Sequence, residues 1–328
     1  MKGKLSGIFL MSLFVCNACF ADVLDLTTAL QNTYRACASI DENLHELKVL
    51  AGVNTAVTAV GTGLGIGATA TGLAKESIDR EIEQLLDEIW YLAAEYDGPE
   101  ATEDEKLAWY QDLHERLKHK NWASDDESDS ELSDEESEED QKMAELARKE
   151  KKSKTLGNWR TGLLAGNTAT NVAGAIIASK TINKDDINSQ IEACINATKE
   201  LNNAINAARM DGIDVGEAQQ IYTACREYEF VDIKPIDKRG KGAMISASVG
   251  AGVGGVGTIT SGIANSDKIR KDDTESGREK EKNLNTASNV LAAGATVASA
   301  TATIFNATQI AAIKKVAEVS QKCTEVLK

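Results

Sequence analysis

The sequence predicts an all-α protein made of two repeated helical-hairpin units with Gly/Ala-rich helices, the first unit carrying a helical insert and a disordered acidic loop. Three observations carry this prediction. There are 2 prolines in 328 residues and 5% aromatics, a composition that favours long helices over a sandwich. Apolar residues recur at alternating steps of four and three in several segments. The chain also resembles itself at a series of landmarks in the same order, the mark of an internal duplication.

At the N-terminus Lys2 and Lys4 precede an apolar run from Ile8 to Val15, and small residues follow up to Ala21. This is the layout of a signal peptide over residues 1–21, too short to span a bilayer as a mature helix. Processing at Cys19 as a lipoprotein fits poorly, because Cys16 stands where that box takes Leu. An exported chain in the periplasm, the cell envelope or the medium is the expectation. Loss of the leader leaves Cys37, Cys194, Cys225 and Cys323, an even number in an oxidising route.

The duplication pairs Gln31, Tyr34, Ala36 and Cys37 with Gln219, Tyr222, Ala224 and Cys225. It then pairs the glycine run at 61, 63 and 65 with the run at 250, 252 and 254, and Leu163–Thr168 with Leu291–Thr296. Cys194 and Cys323 close the series. The repeat units expected are residues 22–212 and 213–328. Each reads as a Cys-bearing helix, an uncharged Gly/Ala/Thr stretch, a polar connection, a second uncharged stretch and a closing Cys-bearing helix. The uncharged stretches are 49–74 and 161–179 in the first unit, and 242–266 and 283–313 in the second.

The closing helix of the first unit carries Ile187, Ile191, Cys194, Thr198, Leu201, Ile205 and Ala208 on one seam and stops at Gly212. Ile313, Val316, Ser320, Cys323 and Leu327 repeat it at the end of the chain, while Leu30, Cys37, Leu44 and Leu47 share a side of the opening helix. Cysteines on such seams reach disulfide distance across antiparallel neighbours, so Cys37 is expected to pair with Cys194 and Cys225 with Cys323. The alternative is four buried free thiols.

The insert, 76–155, contains Ile78, Ile82, Leu85, Ile89, Leu92 and Tyr96 at four–three spacing before Gly98-Pro99. Thr102 and Glu105 then form a capping box opening a second helix. Trp90, Tyr91, Trp109 and Tyr110 offer aromatic surface, read first as packing and second as a partner-binding face. The acidic segment expected to be disordered is 124–140. Within it, residues 125–140 hold 11 carboxylates and no base, so of the net charge of -15 only -4 belongs to the rest. No basic stripe of the kind that neutralises phosphates stands out, and nucleic acid is not an expected partner.

Catalytic, cofactor and metal sites are all expected to be absent. The three histidines, His45, His114 and His119, form no zinc signature, and the mature chain has no Cys-x-x-Cys pair. Gly252–Gly257 fits Gly-x-Gly-x-x-Gly, but that motif binds dinucleotides only between a strand and a helix, and the flanks here have helical periodicity. What remains is small-xxx-small spacing at Gly61 and Gly65, and at Gly250, Gly254 and Gly262, a face on which helices pack closely. An alternating-glycine strand is the weaker reading, because such a strand packs poorly.

The function expected is that of a non-enzymatic cell-envelope protein whose glycine-rich hairpins self-associate in or on a membrane. The alternative is a soluble periplasmic or secreted interaction module that binds a protein partner through 76–155. The uncharged stretches are long enough to span, but Gly, Thr, Asn and Ser dilute their apolar content.

Overall fold

The computed structural model describes residues 24–97, 108–109, 112–113, 138–182, 186–270 and 274–328. The expected signal peptide, the capping box at Thr102, Tyr110, His114, His119 and all of the acidic run before Glu138 lie outside the described residues. Helices dominate, and no strand occurs among the described residues. In chain order they are α1 (24–37), α2 (Ile40–Asp97), α3 (Glu138–Ile182), α4 (Asp186–Met210), α5 (Gly216–Cys225), α6 (Lys234–Ala264), the short α7 (Asp267–Arg270) and α8 (Glu275–Leu327). A 3-10 turn, Arg226–Phe230, follows α5.

The chain divides into two compact units whose bounds differ from those expected for the repeats, 22–212 and 213–328. One comprises Met1–Ala56, Gly174–Ile245 and Ala302–Lys328, and is called here the cysteine unit. The other, the glycine unit, comprises Val57–Ala173 and Ser246–Thr301. Each draws segments from both halves of the chain, because α2, α3, α6 and α8 are long enough to serve in both.

The cysteine unit has an ordinary apolar core. Leu44, Leu47, Ile187, Ile191, Leu201, Ile205, Ile313 and Val316 are buried together with Cys37, Cys194, Cys225 and Cys323. These are the seam positions of α2, α4 and α8, so four–three spacing here translates directly into a buried stripe. Gly212, at φ 75°, supplies the left-handed turn that ends α4. Cys37 and Cys225 are the last residues of α1 and α5, and each reaches a closing helix: Cys37 bonds Cys194 in α4, and Cys225 bonds Cys323 in α8. These pairs close loops of sequence separation 157 and 98. The opening segment of the first repeat, expected as one helix, turns at residues 38–39 before α2 begins.

The glycine unit is an up-and-down four-helix arrangement. Gly61 of α2 faces Thr170 of α3 and Gly67 faces Leu163, a falling register that makes these helices antiparallel. The same relation links Gly65 to Thr296 and Gly72 to Asn289 across α2 and α8. It also joins α3 with α6 through Asn171 and Gly250, and α6 with α8 through Gly257 and Leu291. The insert is not a separate module at its ends. Helix α2 runs through Lys75 to Asp97 without a break, and α3 starts at Glu138, inside the acidic segment. There Leu85, Ile89, Leu113, Met143 and Leu146 form a second apolar cluster, against which Trp109 packs.

Two predictions follow from the cysteine unit. Peptide mapping without reductant should recover the Cys37–Cys194 and Cys225–Cys323 peptides, and Cys225→Ser should lower stability by about 2–5 kcal/mol. Tyr228 is buried, and burial pushes its phenol up to about 12. In the unfolded chain the phenol deprotonates near 10, so between these values the folded state binds the extra proton and stability falls as pH rises. Tyr228→Phe should flatten that alkaline loss in denaturant titrations at a series of pH values.

Candidate functional site

The uncharged stretches place polar groups inside and apolar groups outside. Along 49–74 of α2 every exposed position is Val, Ala, Gly, Ile or Leu, among them Val53, Val60, Ile66 and Leu73. The buried positions of the same stretch are Ala51, Asn54, Thr58, Gly61, Gly65, Ala68 and Gly72. Helices α3, α6 and α8 repeat the pattern less strictly: Val172, Ile176, Val249, Val256, Ile259, Val290 and Val297 are exposed and Asn167, Asn171, Ser261, Ser288 and Ser299 buried, while Ser248, Asn283 and Thr286 are exposed and Leu164 is buried. A water-soluble helix buries its large aliphatics and exposes its amides, so this distribution is inverted.

The buried polar groups are held by one another. In the glycine unit Asn171 Nδ2 donates to Asn167 Oδ1 at 2.7 Å and to Ser299 Oγ at 2.8 Å, and Ser299 Oγ lies 3.0 Å from Asn167 Oδ1. Asn167 Nδ2, Arg160 Nε, Asn265 Oδ1 and Asn289 Oδ1 of this unit find no partner among the described residues. Thr161 and Ser261 hydroxyls meet at 2.8 Å. In the cysteine unit Asn54 Nδ2 donates to Asn306 Oδ1 at 3.0 Å, and Gln309 Nε2 donates to the Ile236 carbonyl at 3.1 Å.

Threonines follow another rule. Thr62, Thr69, Thr258 and Thr296 each donate to the carbonyl four residues earlier, as do the exposed hydroxyls of Thr260 and Thr301. A hydroxyl satisfied by its own helix needs no water.

The expected packing glycines fall into two groups. Gly61, Gly65, Gly250 and Gly254 sit against the neighbouring helix, and what fills each notch is a polar side chain. A Cβ at Gly61 would lie 2.5 Å from Thr170 Oγ1, at Gly250 2.9 Å from the Asn171 amide, and at Gly254 2.8 Å from Thr168 Oγ1. At Gly65 it would overlap the Thr296 hydroxyl and lie 2.9 Å from Asn167 Nδ2. The glycines thus make room for amides and hydroxyls rather than for a bare helix backbone. Gly262 differs: it faces open space, as do Gly63 and Gly252, and takes no part in this packing.

A charged cluster closes the polar core within the glycine unit. Lys75, 1% exposed, binds Asp79 at 2.6 Å and Glu281 at 3.2 Å, and the Ser153 hydroxyl donates to Asp79. Arg160, also 1% exposed, donates from Nη2 to the Asn285 carbonyl at 3.1 Å. Lys75 falls between the uncharged stretch and the insert, Arg160 just before the second uncharged stretch, and neither stands out in the sequence. Only the helical phase, which puts both on the inward face with Gly61 and Asn167, could have revealed them.

Of the remaining candidates, Trp90 and Trp109 stack edge to face with centroids 5.2 Å apart, while Tyr91 is exposed. Sulfurs of Cys37, Cys194 and Cys323 lie within 4.8 Å of one another, but these residues are engaged in disulfides.

The glycine notches make a paired prediction for unfolding in detergent. Gly63→Ala, in open space, should be neutral or stabilising by up to about 1 kcal/mol through helix propensity. Gly65→Ala should destabilise by about 1–3 kcal/mol, because its methyl collides with Thr296 and Asn167.

Comparison of the chain with protein-family models, with curated proteins and with solved structures finds no match.

Proposed function

We propose that this is an exported, non-enzymatic cell-envelope protein whose glycine-rich hairpins associate with each other, within one chain, inside a membrane. The observation that carries this reading is the inverted distribution: amides and hydroxyls inward, Val, Ile, Ala and Gly outward, along four helices. Lipid reverses the solvent preference of a helix surface and leaves polar groups to be satisfied from within.

Three helical segments, Leu24–Leu92 (α1 and most of α2), Lys234–Ala264 and Ser276–Leu327, are long and apolar enough to cross a bilayer, and only 28% of each apolar window is buried. From Val49 to Leu73 the exposed aliphatics of α2 extend about 36 Å at 1.5 Å per residue, and from Ile245 to Ile263 those of α6 extend about 27 Å, against a hydrocarbon core of about 30 Å. Helix α3 is more polar, but its Asn167, Asn171 and Arg160 point inward to partners, which lowers the cost of its insertion. Trp159, exposed at one end of the α3 stretch, suits the interface, where aromatic rings collect.

The repeated hairpin plan gives this bundle its even number of crossings, and the signal-peptide layout and disulfides suit export. A partner-binding role for 76–155 has less support, because Trp90 and Trp109 are engaged with each other.

The test is fractionation of cells expressing the chain with its leader, followed by carbonate extraction without reductant. Membrane-retained protein is the expected result, and a soluble monomer that ignores liposomes would remove the reading. Val256→Asp separates the two outcomes further. On a water-facing surface it should change stability by no more than about 0.5 kcal/mol. On a lipid-facing one it should impair insertion, at a cost of about 2.5–3.5 kcal/mol near the bilayer centre.

A further inference from the structure

We infer that a collar of lysines on the cysteine unit binds anionic phospholipid headgroups at one surface of the bilayer; the inference rests on the membrane reading above. The collar consists of Lys48 in α2, Lys180 in α3, Lys238 and Lys241 in α6, and Lys314 and Lys315 in α8, all exposed. Four helices contribute, and each lysine stands at or close to the end of one of the uncharged stretches.

The lysines of α2, α3 and α6 share a level within this unit. Leu47, Thr181, Ile236, Asp237 and Gln309 line one small cavity. Lys48, Lys180 and Lys238 are each the immediate chain neighbour of one of these residues. Arg239, between them, is turned inward, with Nη1 donating to the Thr308 carbonyl at 2.6 Å. Exposed aliphatics stand within about a turn: Val49 beside Lys48, Ile176 four residues before Lys180, and Ile245 four after Lys241. A long side chain so placed lays its methylenes on apolar surface and carries its ammonium outward to the headgroup layer.

Within about a turn of the six lysines stand three carboxylates, Asp237, bound to Lys241 at 2.8 Å, Glu46 on α2 and Glu318 on α8, which leaves an excess of positive charge. An excess of exposed ammonium groups where apolar helix surface ends is complementary to phosphodiester headgroups carrying net negative charge. Zwitterionic headgroups offer no such gain.

The test uses the full mature chain with its disulfides intact, diluted from detergent onto phosphatidylcholine vesicles with or without phosphatidylglycerol and read by co-flotation. Partitioning should favour the anionic vesicles by at least about tenfold, and that preference should shrink in high salt. The triple variant Lys48→Glu, Lys180→Glu, Lys238→Glu should enter neutral vesicles as the parent does and lose the preference. The corresponding triple Gln variant, which adds no acid, serves if the Glu variant misfolds by circular dichroism. Equal partitioning into both vesicle types, or an unchanged preference in a folded variant, overturns the collar while leaving insertion standing. Association with neither vesicle type overturns insertion and the collar together.

Discussion

Everything in the glycine unit depends on one constraint: a polar group removed from water needs a partner, and here the partners are inside. Asn171 and Ser299 bond each other and Asn167 Oδ1 among antiparallel helices, and a lost partner in such a network would cost about 1–3 kcal/mol. Amides need room where an apolar helix pair would interlock aliphatic ridges. Gly61, Gly65, Gly250 and Gly254 supply it, each opposite a Thr or Asn, so these small residues and the polar residues are two sides of one packing solution. Interior glycine weakens a helix in water, and close packing against the neighbour offsets that weakness.

The cysteine unit rests on different physics. Its core is aliphatic, its helices are shorter, and it is closed by two disulfides that reach across long stretches of chain. Cross-links of this kind restrict the unfolded chain by an amount that grows with the logarithm of the loop they close, a gain that does not require a large core. The glycine unit, by contrast, holds a buried ion cluster around Lys75. Two carboxylates and a serine there surround charges that would be very costly if left alone.

The insert shows how a boundary drawn from composition differs from one drawn by a helix. Charge appears abruptly at Lys75 and Glu76, and a change of composition of that kind reads as a change of element. The backbone ignores it: α2 continues for more than twenty residues with its apolar seam in phase, and Lys142 and Lys149 of α3 pair with Glu88 and Glu81 across the gap. A helix ends where its backbone hydrogen bonds end, and a polar surface does not break them.

By itself, the sequence determined the helical class, the seam positions of α2, α4 and α8, the stop at Gly212 and the order of the duplicated landmarks. These depend on local periodicity and on matches along the chain, which need no knowledge of neighbours. The cysteine partners, Cys37 with Cys194 and Cys225 with Cys323, lay within reach as well, because the duplication gave a reason to prefer one pairing out of three. What only the tertiary structure decided is which face of each uncharged helix looks inward. Gly, Ala, Thr and Val carry too little contrast to define a stripe, so the phase of these helices comes from the neighbours that accept Asn171, Thr168 and Thr296. That is why Gly61, Gly65, Gly250 and Gly254 became sockets for polar side chains while Gly262, on the same spacing, was left facing outward.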